Sequence, residues 1–199
     1  RLYFEKLSFK KKNNFLIHHI STDEVYGTLS DTGFFNEETR YDPRSPYSAS
    51  KASSDHLISA WHHSYGIPIK ITNCSNNYGP HQFPEKLIPL TIIKCLNNQK
   101  IPIYGDGLQV RDWLYVEDHV EAIIKVIENG SVGSNYCIGG FGEKNNLEVV
   151  KTICSYFDKL KPQNNKYFDL VEFVTDRRGH DRRYSIDSKL IQNDLNWKP

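Results

Sequence analysis

The 199-residue sequence contains no methionine and no G-x-G-x-x-G motif. Its two candidate glycine pairs, Gly105–Gly107 and Gly140–Gly142, both lack the third glycine. A complete glycine-rich loop of the kind that binds a dinucleotide pyrophosphate is therefore absent from these residues. We expect an N-terminally truncated piece of a longer protein, with any such loop lying upstream of Arg1.

Cysteine, charge imbalance and long apolar runs are also scarce. The four cysteines, Cys74, Cys95, Cys137 and Cys154, form no C-x-x-C pair, which favours reduced thiols in a cytoplasmic protein over a disulfide framework. A net charge of +1 gives no reason to expect nucleic acid or an anionic membrane as a partner. No apolar run approaches the ~20 residues of a membrane-spanning helix. The eight histidines show no metal-binding spacing, so we expect no metal.

What the sequence does contain is an alternation of helices and short apolar strands, which predicts an α/β fold with a largely parallel sheet. The predicted helices cover residues 1–7, 47–65, 87–96, 116–129, 147–160 and 187–195. The predicted strands cover residues 15–20, 68–72, 101–104, 135–138 and 171–174. The lysine-rich segment 10–14 is expected to be a solvated loop, and the segment 28–46 a longer loop.

Chemically reactive side chains concentrate directly after the first predicted strand. Thr22, Asp23 and Glu24 follow this strand, and ligands in parallel α/β sheets bind at the carboxyl ends of strands. Of the twelve tyrosines, only Tyr47 is followed by a lysine four residues later, at Lys51. On a helix the two side chains share a face, and the ammonium is expected to lower the phenol pKa from about 10. Tyr47 is thereby predicted to act as a base.

Each of these patterns has an ordinary structural explanation when it stands alone. Thr22 or Asp23 can cap a turn, and acidic turns after strands are common. A single Tyr-x-x-x-Lys is a weak pattern. Their combination in this order, across one loop, favours an active site.

These residues carry a family resemblance. The segments 22–27, 47–51, 74–80, 111–116 and 176–184 resemble the extended short-chain dehydrogenase/reductases, and most of all the dTDP-glucose 4,6-dehydratase family. The resemblance spans nearly the whole chain. The adjacent Asp23 and Glu24 carry the distinction, since related epimerases usually have small residues there. One departure is Arg178, where the family usually has proline.

The resemblance implies a partial Rossmann-type parallel sheet with a smaller C-terminal substrate-binding α/β domain. Residues 1–80 would form the C-terminal half of the NAD-binding domain. Residues 81–199 would mainly bind the nucleotide sugar, with segments near 104–140 returning to the Rossmann sheet. A half-sheet of this kind would leave an unpaired strand edge.

The resemblance also assigns catalytic roles, with NAD as the cofactor and dTDP-glucose as the substrate. Tyr47, poised by Lys51, would take the proton of the 4-hydroxyl while C4 loses hydride. Glu24 would remove the C5 proton, and Asp23 would protonate the departing 6-hydroxyl. Thr22 would hydrogen-bond the 4-oxygen. These roles require Asp23 protonated and Glu24 ionised, hence separated pKa values.

Binding residues follow position by position from the same resemblance. Tyr47, Lys51 and Asn77 would contact NAD. The implied substrate contacts are Thr22, Asn76, Lys86, Leu87, Tyr104, Arg111, Asn146, Arg177 and His180. For the arginines of segment 177–183, surface ion pairing with Asp176, Asp181 or Asp187 is the alternative.

Two rival functions remain open: another nucleotide-sugar epimerase or decarboxylase, and a catalytically silent binding fragment. The resemblance implies a homodimer and a place in deoxysugar synthesis such as the dTDP-rhamnose route. We expect the isolated 199 residues to bind NAD weakly or not at all, and to turn over no sugar.

Overall fold

The computed structural model describes residues 1–199 as three small sheets flanked by helices. The α-helices are α1 Leu2–Glu5, α2 Phe9–Asn13, α3 Pro46–Tyr65, α4 Leu87–Leu96, α5 Val116–Asn129, α6 Asn146–Leu160 and α7 Lys189–Leu195. The strands are β1 Ile17–Thr22, β2 Ile69–Cys74, β3 Asn76–Tyr78, β4 Ile101–Tyr104, β5 Val110–Tyr115, β6 Asn135–Ile138, β7 Glu143–Asn145 and β8 Val171–Val174. Two 3-10 helices cover Asp23–Tyr26 and Tyr167–Leu170. None of the helices has the length and apolar character needed to cross a membrane.

The sheets confirm the predicted α/β fold with parallel strands. The first sheet has the order β1-β2-β6 and is fully parallel, with Thr22 opposite Cys74 at the carboxyl ends. The second has the order β3-β5-β7, in which only the β5–β7 pair is antiparallel. The third pairs β4 with β8 in parallel.

The long helix α3 shows why the sequence forms these elements where it does. Ser45 caps its N terminus through a reciprocal pair of bonds with Ser48, and Pro46 occupies the first helical turn, where its missing N–H costs nothing. Gly66 ends the helix in the left-handed conformation, at φ 63°. The helix packs against β1 and the first 3-10 helix, so it places its first turns beside the end of β1.

Four buried clusters hold the elements together. One lies between β6, α5 and α7 and contains Leu114, Val126, Ile138, Ile191 and Trp197. Another joins α4, α6 and the β4–β8 sheet through Cys95, Ile101, Ile103, Val150, Cys154 and Tyr167. All four cysteines are free, as predicted.

The two outer edges of the first sheet differ. The Glu37 carboxylate accepts a hydrogen bond from the backbone N–H of Cys137 at 2.7 Å, and the neighbouring Phe35 forms an isolated bridge to Ile186. The Glu37 side chain therefore occupies a backbone donor of β6 that β2 does not use. The strand β1 pairs only with β2, so it is the expected unpaired edge.

Several local predictions were wrong at the N terminus and in the middle of the chain. The lysine-rich segment 10–14 is largely the short helix α2, whose three lysines lie in the last turn, where they favour the negative end of the helix dipole. The predicted helix over 1–7 is only Leu2–Glu5 and buries no residue. The strand predicted over 15–20 is Ile17–Thr22 and is only half-buried, because it lies at a sheet edge. The strands β3, β5 and β7 were not predicted.

Candidate active site

The candidate site lies where β1 and β2 end. Thr22 is the last residue of β1, and its hydroxyl accepts a hydrogen bond from the Glu24 N–H at 3.3 Å, which caps the 3-10 helix Asp23–Tyr26. Gly27 then turns the chain with φ at 86°, and a Cβ there would lie 2.7 Å from the Asp42 carbonyl oxygen. This tight turn fixes both carboxylates at the carboxyl edge of the sheet.

Asp23 has the environment of a protonated acid. Only 2% of the residue is exposed, and its Oδ2 atom has no hydrogen-bond partner. Burial, and then the nearby charge of Glu24, raise the pKa of Asp23 to about 8, although Arg111 and Thr22 act in the opposite direction. Asp23 therefore holds its proton at neutral pH, as its predicted role requires.

Glu24 lies nearer the surface and is half-buried. Burial raises the pKa of Glu24 as well, but the positive charges of Arg111 and then of Arg177 and Lys86 oppose that rise. The two adjacent carboxyls thus have different surroundings, one buried beside a second carboxylate and one facing cations. Such a difference separates an acid from a base.

The prediction that Lys51 lowers the pKa of Tyr47 was wrong for this structure. Burial first, and then the nearby Glu24, raise the pKa of Tyr47, and the neighbouring Thr22 hydroxyl offsets only part of this rise. The Lys51 ammonium instead donates to the Ile20 carbonyl at 2.6 Å. Tyr47 is 54% exposed, so its phenol remains accessible beside Thr22.

The two asparagines after β2 differ in their availability. The Oδ1 atom of Asn76 is buried without a partner, which suits a residue expected to contact a ligand. The side chain of Asn77 is used within the protein: its amide donates to the Ser75 carbonyl at 3.0 Å, and its Oδ1 lies 2.7 Å from His119 Nδ1. Its expected contact with NAD stays a prediction.

Three of the predicted substrate residues lie together. The Arg177 guanidinium lies 5.3 Å from the centre of the Tyr104 ring and 3.1 Å from His180 Nε2. His180 Nδ1 lies 2.6 Å from an Asp176 carboxylate oxygen. Arg177 of this cluster lies near enough to Glu24 to oppose the rise of its pKa, as Lys86 also does. Leu87, which begins α4, packs instead against a hydrophobic cluster.

Arg111 is buried and has no carboxylate partner. It is 7% exposed, donates to the carbonyls of Val110 and Asp181, and stacks over the Tyr184 ring at 4.3 Å. Its charge acts on both Asp23 and Glu24. A buried cation without an anionic partner suits an anionic ligand. Asn146 begins α6 at its capped N terminus, another position that favours an anion.

The other arginines of this segment form ion pairs, but with different acids from those expected. Arg182 binds both carboxylate oxygens of Asp106 at 2.9 Å. Arg183 contacts Glu143 at 2.6 Å. Surface ion pairing is therefore confirmed for Arg182, whereas the ion pair of Arg183 is buried. The predicted partner acids were wrong for both, because the turn before β5 and the strand β7 lie beside this segment.

The sequence reasoning missed two buried carboxylates. Asp112 accepts hydrogen bonds from the N–H groups of Gly140 and Gly142 and raises the pKa of Asp23. Asp55 lies under the site, on the same helix as Tyr47. Its spacing of four residues after Lys51 was a signal that could have revealed it.

Two cavities, of about 450 and 560 Å³, open at the opposite end of the first sheet, around Phe15 and Lys70 in one case and Tyr3 and Phe15 in the other. Ligands in parallel α/β sheets bind at the carboxyl ends of the strands. The reactive side chains and these cavities therefore lie at opposite ends of the first sheet, and we place the candidate site at the end that carries the reactive side chains.

Comparison with known proteins places this geometry in a family. The model of the GDP-mannose 4,6 dehydratase family matches residues 4–199. The dTDP-glucose 4,6-dehydratase of Neisseria gonorrhoeae is 53% identical over 204 residues, which cover all of this chain and 59% of that protein. The chain thus spans less than two thirds of the length of this relative.

Solved structures show the same fold. The crystal structure of dTDP-glucose 4,6-dehydratase from Bacillus anthracis in complex with NAD matches with a TM-score of 0.87 and 49% identity, covering 96% of this chain and 58% of that one. The UDP-glucuronic acid 4-epimerase of Bacillus cereus, in complex with UDP-glucuronic acid and NAD, matches with a TM-score of 0.81 and 28% identity, covering 92% and 56%. The fold is thus shared by dehydratases and epimerases, and the family match over nearly its whole length shows that the chain belongs to the GDP-mannose 4,6 dehydratase family.

Proposed function

We propose that this chain carries the catalytic residues of an NAD-dependent dTDP-glucose 4,6-dehydratase, which converts dTDP-glucose to its 4-keto-6-deoxy product. The observation that carries the proposal is the carboxyl pair after β1: a buried Asp23 with a pKa of about 8, beside a half-buried Glu24 that faces cations. Oxidation of a sugar hydroxyl needs only a base such as Tyr47. Elimination of water needs an additional acid and an additional base, and this pair provides both.

The residues present fit the nicotinamide end of NAD. The exposed phenol of Tyr47 and the unpartnered Oδ1 of Asn76 lie beside the carboxyl ends of β1 and β2, and Tyr47, Lys51 and Asn77 would hold the cofactor there. When bound, NAD supplies a hydride acceptor, then a hydride donor, and a positive charge that favours the Tyr47 phenolate. This charge would counter the raised pKa of the phenol.

The proposed steps give each side chain the role that its chemistry suits. Tyr47 takes the proton of the 4-hydroxyl as the C4–H bond breaks with loss of hydride, while Thr22 donates to the 4-oxygen. The resulting ketone acidifies the C5 proton, which Glu24 accepts. Asp23 gives its proton to the 6-hydroxyl, and the C6–O bond breaks to release water. Glu24 returns its proton to C5, and C6 would receive the hydride that bound NAD supplies, so no cofactor is consumed.

The nucleotide would lie across the second half of the chain. Arg111 and Asn146 would bind the diphosphate, with Asn76 on the sugar and Lys86, Leu87 and Tyr104 around the base. We include Arg177 and His180, since their contacts with Tyr104 and Asp176 place them at the same surface. In this division residues 1–80, joined by β6, belong to the cofactor domain, and most of 81–199 to the substrate domain.

A deuterium experiment on the full-length protein tests the activity. With dTDP-glucose labelled at C4, we expect a product lighter by one water that carries the deuterium at C6. An unchanged mass with inversion at C4 would identify an epimerase, and an unchanged substrate with Tyr47→Phe indistinguishable from wild type would identify a silent binding protein. The 199 residues alone, tested in parallel, are expected to bind NAD weakly and to form no product.

We also propose that the protein is a homodimer and lies in the cytoplasm. The exposed apolar side chains Leu2 and Tyr3 of α1 and Leu57 and Tyr65 of α3 support a homodimer through these helices. Sedimentation of the full-length protein and of Leu57→Lys, which should shift it toward monomer, tests this. The free cysteines support a cytoplasmic location, with a role in making deoxysugars such as dTDP-rhamnose.

A further inference from the structure

The carboxylate of Asp55 is buried beneath the candidate site and accepts several hydrogen bonds. The residue is 2% exposed. Its Oδ2 accepts from the Ser21 hydroxyl at 2.7 Å, from the Tyr41 hydroxyl at 2.9 Å and from the Asn73 amide at 3.4 Å. His19 Nε2 lies 2.9 Å from Oδ1, an electrostatic contact that is not aligned as a hydrogen bond. This residue has no part in the steps proposed above.

The partners of Asp55 belong to separate parts of the chain. Ser21 is on β1 and Asn73 on β2, where they are opposite each other in the strand register. The Asn73 amide also donates to the Thr22 carbonyl at 3.1 Å. Tyr41 comes from the long loop before α3. One carboxylate therefore connects the catalytic helix, both strands and the loop.

The position of Asp55 on α3 links these hydrogen bonds to Tyr47 and Lys51. Tyr47, Lys51 and Asp55 are spaced by four residues and so lie along one helix face. Tyr47 lies beside Thr22, Lys51 donates to the Ile20 carbonyl, and Asp55 accepts a hydrogen bond from Ser21. This face of α3 therefore lies along the end of β1, and the contact farthest along the helix is made by the buried carboxylate of Asp55.

We propose that Asp55 is a positioning residue, which holds α3 against β1 and thereby sets the distance between Tyr47 and the Thr22–Glu24 segment. The inference rests on the proposed function for its catalytic consequence, because a helix displaced from β1 separates the base from the acid pair. A displacement of about 1 Å in such a site can cost roughly 100-fold in rate. Asp55 itself touches neither reactant.

The test compares Asp55→Ala and Asp55→Asn in the full-length protein, with Ser54→Ala as the matched control. Ser54 is the preceding residue of the same helix, and its hydroxyl donates only to the carbonyl of Ser50 within that helix. We expect Asp55→Ala to lower kcat roughly 100-fold with a much smaller change in KM. Asparagine can still accept from Ser21 and Tyr41, so Asp55→Asn should recover most of the loss. Ser54→Ala should match wild type.

Hydrogen–deuterium exchange provides a readout that does not depend on activity. Asp55→Ala should speed exchange in residues 19–24 and 47–51 while the β4–β8 sheet keeps its protection. If wild type forms no 4-keto product, the proposed function fails, and the exchange result alone decides the positioning role. Unchanged kcat with unchanged exchange in these two segments would overturn it. If Asp55→Ala does not fold, Ser21→Ala is used in its place, and unchanged kcat and exchange in that variant would overturn it equally.

Discussion

The replacement Asp23→Asn gives the most direct test of the acid in the site. Burial and the nearby Glu24 raise the pKa of Asp23 from 3.8 to about 8. Between these two values the folded protein keeps a proton that the unfolded chain has released, so the free energy of unfolding falls as pH rises through this window. Asparagine has no such proton. The stability of the variant relative to wild type should therefore rise by about 3 kcal/mol between pH ~6 and ~9, from about two pKa units at ~1.36 kcal/mol each.

Urea denaturation of the full-length proteins across this pH range measures the difference. Asp106→Asn is the control, because backbone and Arg182 hydrogen bonds lower the pKa of Asp106 and place its titration below this range. Its stability difference from wild type should stay constant. A constant difference for Asp23→Asn as well would refute the assignment of a protonated Asp23.

The same variant separates stability from catalysis. Without the proton donor, release of the 6-hydroxyl should slow by roughly 10²–10⁴-fold, the usual contribution of a general acid. Oxidation at C4 does not use Asp23, so reduced nicotinamide should accumulate and be visible by its absorbance. Asp23→Asn would contradict both predictions if its stability relative to wild type fell toward high pH and its turnover were unchanged.

Three further predictions address other parts of the molecule. Tyr47→Phe should prevent oxidation at C4 and lower turnover by roughly 10²–10⁴-fold, with no accumulation of reduced nicotinamide in a single-turnover assay. The ring of His119 should stay neutral until about pH 4, because burial and then the charge of His18 lower its pKa to about 4; an NMR titration near 6.5 would contradict this. Trp197→Ala should cost about 3–5 kcal/mol of unfolding free energy by urea denaturation, since the side chain is fully buried, whereas the exposed Lys198→Ala should cost little.

The sequence predicted the elements with clear local signals well and the strands of the second sheet poorly. Five elements agree with the structure at both ends: Leu87–Leu96, Ile101–Tyr104, Val116–Asn129, Asn135–Ile138 and Val171–Val174. These segments have a clear apolar period or clear breakers at both ends. The strands β3 and β7 have only three residues each, and their backbone bonds come from β5, a partner distant in the chain. No local pattern contains that information.

In the site, too, features set by neighbours in the sequence could be predicted, and features set by residues distant in the chain could not. The spacing of Tyr47 and Lys51 and the adjacency of Asp23 and Glu24 could be read from the sequence. The environments could not: burial, and then the nearby Glu24, raise the pKa of the Tyr47 phenol, and Lys51 binds a carbonyl of β1. The acid partners of Arg182 and Arg183 also depend on strands far away in sequence. The type of a residue indicates which reactions its side chain can take part in, whereas the pKa of that side chain depends on its neighbours in space.

The two edges of the first sheet have a consequence for self-association. Glu37 occupies a backbone donor of β6, so another strand cannot add there without displacing a carboxylate, whereas β1 remains available on one side. In the first sheet of the 199 residues, a second copy can therefore add a strand at one edge only, and pairing of β1 with the β1 of that copy would close this sheet to further strands.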